Sequence, residues 1–329
     1  MKTALCDRLG IEIPIIQAPM GGAVGPEIAA EVSNAGGLGS LAPWFLDEAR
    51  LRKELRDTRG LTAKPFLVNL NLAFPQEERL RIVLDEGASI ISFFWNLEPD
   101  LIARAKAAGA TVLQTVATSS DARLAADAGA DVLVAQGWEA GGHVRGDVST
   151  LALVPMVVDE GGGLPVVAAG GIADGRGMVA ALALGASGVW IGTRFLLSPE
   201  ATVHPYYQER LRNADEASTV HLASLFDEGW PNAPHRVLRN STVEAWEKAG
   251  RPPSGKRPRQ DEVVVRSTIE GDIRTYASTT PDSWMEGDIE ALSMWSGQGV
   301  GLARKIMPAA EIVREINAEA EAVLHRLGR

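Results

Sequence analysis

Eight short apolar runs recur along the first 192 residues, separated by stretches rich in helix formers. The runs are IPIIQ (13–17), GLGSL (37–41), PFLVNL (65–70), SIISFF (89–94), TVLQT (111–115), DVLVA (131–135), LPVVAA (164–169) and GVWIG (188–192). Between them lie PEIAAEVSNAGG, EERLRIVLDEGA, PDLIARAKAAGA, SSDARLAADAGA and GRGMVAALALGA, each with Gly at or near its end, where a helix stops. Four of these stretches run into Gly-Ala just before the next apolar run. Most of the runs are continuous rather than alternating, as expected for parallel strands covered on both faces. This alternation admits an open doubly wound sheet or a closed barrel. Eight βα units in about 200 residues favour the barrel, whose typical length is roughly 250 residues. The expected fold class is therefore α/β, a (β/α)8 TIM barrel with an inserted smaller lid region and a C-terminal helix.

The βα period stops after GTRFLLSPE (192–200). Residues 1–199 are expected to form the barrel, 200–283 an inserted lid or substrate region, and 284–329 a helical segment packing back on the barrel. PAAEIVREINAEAEAVLHRLG (308–328) opens on Pro and keeps apolar residues at helical spacing, which makes it a terminal helix. The basic stretch AGRPPSGKRPRQ (249–260) reads as a flexible, solvated loop at the middle of the insertion. Trp230, Trp246, Trp284 and Trp295 read as packing residues of the lid, with an aromatic-lined pocket as the alternative.

Several function classes drop out on composition. A net charge of −10 argues against nucleic acid or an anionic membrane surface as partner. The lone Cys6 rules out an internal disulfide and a cysteine metal cluster. Asp7, Arg8 and Glu12 interrupt the N-terminal apolar residues, so no secretory leader is read there. No 18-residue window is apolar and uncharged, and a cytoplasmic protein is expected; homo-oligomerisation is left open. The five histidines lack zinc spacing, and there is no G-x-S-x-G elbow. No metal is expected. Glu270 and Asp272, in IEGDI, read as turn chemistry.

Barrel sites lie at the C-terminal ends of strands, with phosphate often held after the seventh and eighth. Here those places carry GGIADGRG and GTRF. Gly170 and Gly171 permit close backbone approach, the helix starting near Asp174–Gly177 would offer N–H groups to an anion, and Gly192 and Thr193 would add amides and a hydroxyl. SGQGVGLARK (296–305) has the wrong spacing and no preceding strand for a dinucleotide site. A flavin mononucleotide suits the barrel better. Asn69, Gln114 and Gln136, each near a strand's C-terminal end, would bond the edge of its ring, since an amide both donates and accepts. In QGWEAGGHVRGD (136–147), Gly141 and Gly142 would let the loop lie against the flavin, with His143 facing the substrate.

IPIIQAPMGG, QGWEAGGHVRGD and AAGGIADGRGMVAALALGASGVWIGTRFL resemble the nitronate monooxygenase family, formerly 2-nitropropane dioxygenases. WPNAPHRVLRNSTVEAW and GDIEALSMWSGQGVGL extend the resemblance over nearly the whole chain. It implies FMN without a metal, and His143 at the place of the family's catalytic histidine. It also implies FMN contacts from the Met20 backbone, Asn69, Gln136, Gly141, Gly171, Gly192 and Thr193. The implied reaction is oxidation of a small-molecule nitronate with O2. The same superfamily holds flavin-dependent enoyl-ACP reductases and NADH:quinone reductases, so an NAD(P)H-dependent reductase of quinones or enoyl thioesters is the alternative. A non-catalytic flavin- or phosphate-binding barrel is a second. Many relatives read S-F-H-F-G after the fourth strand, where this chain has SFFWNLE: Phe94 and Trp95 replace a polar group facing the substrate.

Overall fold

A computed structural model describes residues 1–328. The eight apolar runs become β1 (Ile15–Gln17), β2 (Gly39–Leu41), β3 (Phe66–Asn71), β4 (Ile90–Phe94), β5 (Thr111–Val116), β6 (Val132–Gln136), β8 (Val166–Ala169) and β9 (Gly188–Ile191). All pair in parallel, in the order β1-β9-β8-β6-β5-β4-β3-β2. A parallel bridge between Ile16 and Leu38 closes the ring, with Leu38 N–H donating to Ile15 O at 2.9 Å and Gln17 N–H to Leu38 O at 3.0 Å. The fold is a TIM barrel. Its strands are buried nearly throughout, which is why their sequences do not alternate.

The recurrent Gly-Ala has a specific cause. Helices α4 (Glu77–Asp85), α5 (Pro99–Ala107), α6 (Ser119–Asp127) and α8 (Gly175–Ala183) are followed by Gly87, Gly109, Gly129 and Gly185, all with positive φ. The next residue, Ala88, Ala110, Ala130 or Ala186, donates its N–H to the carbonyl five positions back and is buried. That bond is the long bond of a Schellman cap, and a small apolar residue fits beneath the strand that follows.

Strand β9 is not followed directly by a helix of its own layer. Helix α11 (Ala309–Leu327) lies between α8 and α2 (Pro26–Asn34), and so takes the place of the eighth helix. It buries Ile312, Val313, Ile316 and Ala320. It comes so close to α8 that a Cβ on Gly175 would lie 2.3 Å from Ala320 N. The chain from about residue 200 to 308 is therefore looped out within the eighth βα unit. At the other end of the barrel, α1 (Ala4–Leu9) inserts Leu5, Cys6 and Leu9 among the inward residues of the strands.

The looped-out chain forms two small antiparallel sheets. One joins β10 (Thr219–Leu222) and β11 (His235–Leu238) to β7 (Gly142–His143), which belongs to the loop after β6. The other consists of β12 (Val263–Ser267), β13 (Gly271–Arg274) and β14 (Met285–Gly287). The basic stretch 249–260 departs from its expected solvated, flexible state. Arg257 is buried there, donating to Asp227 Oδ1 at 2.7 Å and Oδ2 at 2.8 Å, with Tyr276 packed against its guanidinium. A buried arginine needs such a partner, so the stretch is tied down where its charge is neutralised.

Candidate active site

A cavity of ≈ 560 Å³ opens at the C-terminal ends of the strands. That is within the roughly 300–1,000 Å³ usual for a small-molecule site. Met20, Asn69, Gln136, Gly141, His143, Gly170, Gly171, Gly192 and Thr193 all line it. Gln114 does not. Side chains alternate along β5, with Leu113 in the barrel interior and Thr115 on the cavity, so Gln114 points to the outside of the barrel. Its amide donates to Asn96 O at 3.2 Å and Thr115 O at 3.1 Å. The expectation that Gln114 touches a cofactor is thus corrected: strand-end position was right and the parity was wrong.

One wall is backbone. Gly170 and Gly171 have φ of +110° and +73°, where a side chain is strained. The N–H groups of Gly171, Ile172 and Ala173 find no acceptor among the described residues, and all three residues line the cavity. Gly192 and Thr193 stand on the neighbouring strand end, since Ala169 and Trp190 are register partners. The start of α8 contributes less than its sequence suggested. Asp174 already accepts from Arg176 N and Gly177 N, each at 3.0 Å, and Glu319 of α11 accepts from Gly175 N at 3.0 Å. The free donors are the amides just before the helix.

The sequence reading discounted SGQGVGL, yet its glycines complete this wall. A Cβ on Gly299 would lie 2.7 Å from Gly171 O, and one on Gly141 would lie 2.4 Å from Gly297 N. Gly297 N donates to Thr193 Oγ1 at 3.0 Å. These glycines serve close packing of backbone on backbone, which a search for nucleotide spacing does not detect.

The second wall is polar side chain. Asn69 Nδ2 donates to Ser92 Oγ at 2.8 Å. Gln136 Nε2 donates to His143 O at 3.2 Å, which leaves its buried Oε1 without a partner. His143 is held from both sides. Its strand β7 pairs with β11, placing His235 opposite it, and Val144 N donates to Pro234 O at 2.8 Å. Its ring stacks on Trp230 at 3.8 Å between centroids, and its Nε2 is buried without a partner. Burial holds its pKa well below the usual histidine value, and the neighbouring His235 adds to this. At neutral pH the imidazole is uncharged.

The third wall is aromatic: Trp44, Phe45, Phe74, Phe94, Trp230 and Trp295 all line the cavity. Trp230 and Trp295 thus realise the pocket alternative, whereas Trp246 packs within the insertion and Trp284 is exposed. Glu270, read as turn chemistry, also reaches the cavity.

Three histidines of this region predict an acid limit to stability. Burial lowers His143 and His235, while burial followed by the charges of Arg236 and His235 pushes His221 down to about 4. Between that value and the ordinary 6.5 the unfolded chain binds more protons than the folded one. Stability is therefore complete above about pH 6.5 and falls as pH drops towards 4. Melting temperatures across that window should decline, and His221→Gln should flatten the decline. An unaltered slope in the variant would assign the acid sensitivity to other groups.

Residues 2–78 and 68–319 match the family model described as nitronate monooxygenase. The chain belongs to this family. A Pseudomonas aeruginosa nitronate monooxygenase is 36% identical over 94% of this chain and 97% of its own. A Mycobacterium tuberculosis relative, named (3aS,4S,5R,7aS)-5-hydroxy-7a-methyl-1-oxo-octahydro-1H-indene-4-carboxyl-CoA dehydrogenase, is 35% identical over 97% of this chain and 96% of its own. Among solved structures, FabK from Thermotoga maritima superposes with a TM-score of 0.85 at 35% identity, covering 99% of this chain and 98% of its own. Nitroalkane oxidase from Streptomyces ansochromogenes gives 0.78 at 27% identity, covering 99% and 100%. The protein is an oxidoreductase of this barrel family. Among the described residues no helix is long and apolar enough to cross a membrane.

Proposed function

We propose that the protein is an FMN-dependent nitronate monooxygenase that oxidises nitronates with O2. The observation that carries this reading is a half-buried, uncharged His143, its Nε2 enclosed, sharing one cavity with three successive unpaired backbone amides. The residues present fit FMN on their own geometry. The amides of Gly171, Ile172 and Ala173, with Gly192 and Thr193, would hold its phosphate, at a turn where the φ of +73° at Gly171 favours glycine. Gln136 Oε1, buried and unpartnered, and Asn69 would bond the ring edge, beside the backbone at Met20. When bound, the flavin supplies electron transfer and the reaction with dioxygen.

The chain's own part is binding and proton handling. A neutral imidazole carries one N–H and one lone pair. His143 can therefore take the proton from the carbon beside the nitro group of a nitroalkane, or donate to a nitro oxygen of the nitronate. The aromatic wall keeps water from that carbon and raises the strength of each polar contact there. The single, buried Cys6 fits a reducing compartment such as the cytoplasm.

A reductase of enoyl thioesters would need cations to attract a phosphorylated or CoA-like ligand, and the basic stretch 249–260 holds several arginines. Those arginines are engaged: Arg251 with Glu247 at 2.9 Å, Arg257 with Asp227 at 2.7 Å, and Arg259 with Glu262 at 2.8 Å and Asp288 at 2.9 Å. Oxygen uptake on adding an alkyl nitronate is the expected result for the flavin-loaded protein. Rapid anaerobic bleaching by NADH or NADPH, without nitronate-dependent oxygen uptake, would replace this reading with the reductase. Failure of both substrates would favour a binding protein.

A further inference from the structure

We propose that the outer part of the cavity selects substrates bearing an aromatic or other flat apolar group and no second anionic group. This rests on the reading that the reaction takes place beside His143, and it concerns what lies in front of that residue.

The first observation is the arrangement of rings. Trp44 and Phe74 stack at 5.1 Å with 14° between their planes. Trp230 meets both of them, at 6.0 Å and 5.4 Å, and presents its other neighbours, Phe94 and Trp95, at 6.4 Å and 5.0 Å. His143 lies stacked on that same Trp230. The rings form one connected cluster that ends on the imidazole, and Trp44, Phe74, Phe94 and Trp230 turn it towards the cavity. Such rings attract a flat apolar partner through edge-to-face and offset contacts as well as through burial. Trp95 is held at φ +84°, a conformation bulky residues seldom adopt. Trp95 itself does not line the cavity; its ring meets that of His143 edge-on, at 6.2 Å between centroids.

The second observation is charge. Among the described residues lining the cavity there is no Lys or Arg, and the only charged side chains are Glu228 and Glu270. Glu228 accepts from Gln260 Nε2 at 3.0 Å and Glu270 from Thr279 Oγ1 at 3.1 Å, so neither is neutralised by a cation in those contacts. A carboxylate or phosphate on the distal end of a substrate would face like charge from a lining that carries no cation, in a chain of net charge −10. Among the described residues lining the cavity, the free amides of Gly171, Ile172 and Ala173 are the place for an anion, and the cofactor phosphate would take them.

Calorimetric titration of the flavin-loaded protein with nitrobenzene, nitroethane and 3-nitropropionate tests this. Nitrobenzene has no hydrogen on the carbon bearing the nitro group, so its binding is read without turnover. It should bind at least about tenfold more tightly than 3-nitropropionate, the scale of one good aromatic contact. Trp44→Ala should erase most of that preference, and Glu270→Lys, at an exposed residue, should tighten 3-nitropropionate binding alone. Equal or tighter binding of 3-nitropropionate by the wild type, or no response to Glu270→Lys, would overturn the proposal. A nitrobenzene preference without any nitronate oxidation would leave this inference standing and remove the proposed function. Nitronate oxidation with higher kcat/KM on carboxylated than on aryl nitronates would do the reverse.

Discussion

Replacing His143 by asparagine is expected to lower turnover of a neutral nitroalkane roughly 10²-fold or more, the usual scale for a positioned acid–base group. Flavin content should not change. The fold should tolerate the exchange, because β7 is fixed by backbone pairing to β11 rather than by the imidazole. Asparagine keeps a donor and an acceptor but cannot take a proton near neutral pH. The two substrate forms therefore separate the roles of the ring. A nitronate has already lost its proton, so it should suffer a smaller loss than the nitroalkane if proton removal is the main task. Equal losses on both would assign His143 to holding the nitro oxygens. Wild-type oxygen uptake on both would take the residue out of the chemistry. The depressed pKa gives a further check: activity that depends on the neutral imidazole should persist below pH 6.5, where an ordinary histidine becomes charged.

The barrel was legible because its signals are local. A buried parallel strand needs a continuous apolar run, and a helix that must turn tightly beneath it ends in a left-handed glycine followed by a small residue. Both marks lie within a few positions of each other, and most of the eight strands carry the first. What stayed hidden depends on contacts far apart in sequence. Nothing near residue 143 announces that His235, 92 positions on, will lie across from it and make Gly142–His143 a two-residue strand. The looped-out segment before α11 looks from sequence like a lid followed by a tail, because a helix detached from its strand by about a hundred residues leaves no period to follow. Two errors could have been avoided. Counting alternate positions along β5 from Leu113 excludes Gln114 from the cavity, and Asp174 directly before a helix is the signature of a side chain that caps the very amides assigned to an anion. The use of Glu319 for Gly175 and of Asp227 for Arg257 could not have been read, since each pairing is set by tertiary approach.

The amide wall makes the firmest demand on a single residue, and Gly171→Val is expected to yield folded protein with little FMN. Gly171 sits at φ +73°, which a β-branched residue reaches only with strain of about 1–3 kcal/mol. Its Cβ would lie 3.2 Å from Glu139 Cβ, while Gly171 O is packed where a Cβ on Gly299 would come within 2.7 Å. The loop therefore has little room to shift as a body. Relief is available mainly by turning the two peptides that carry the free N–H groups of Gly171 and Ile172, and that turn would take the donors from the phosphate. A loss of about 1.4 kcal/mol is already tenfold in affinity, so occupancy after desalting should fall steeply. The control must be a glycine without such a requirement. Gly255 is unsuitable: it has φ +83° and donates its N–H to Gln260 Oε1 at 3.1 Å, so substitution there would strain the turn. Gly60 lies in α3 (Glu48–Leu61), has open space around its missing Cβ and no positive φ. Gly60→Ala should keep full occupancy and gain slightly in melting temperature through helix propensity. The ratio of flavin to protein absorbance in the two variants, read beside their melting curves, decides the matter. Full occupancy in a well-folded Gly171→Val would move the phosphate away from this wall.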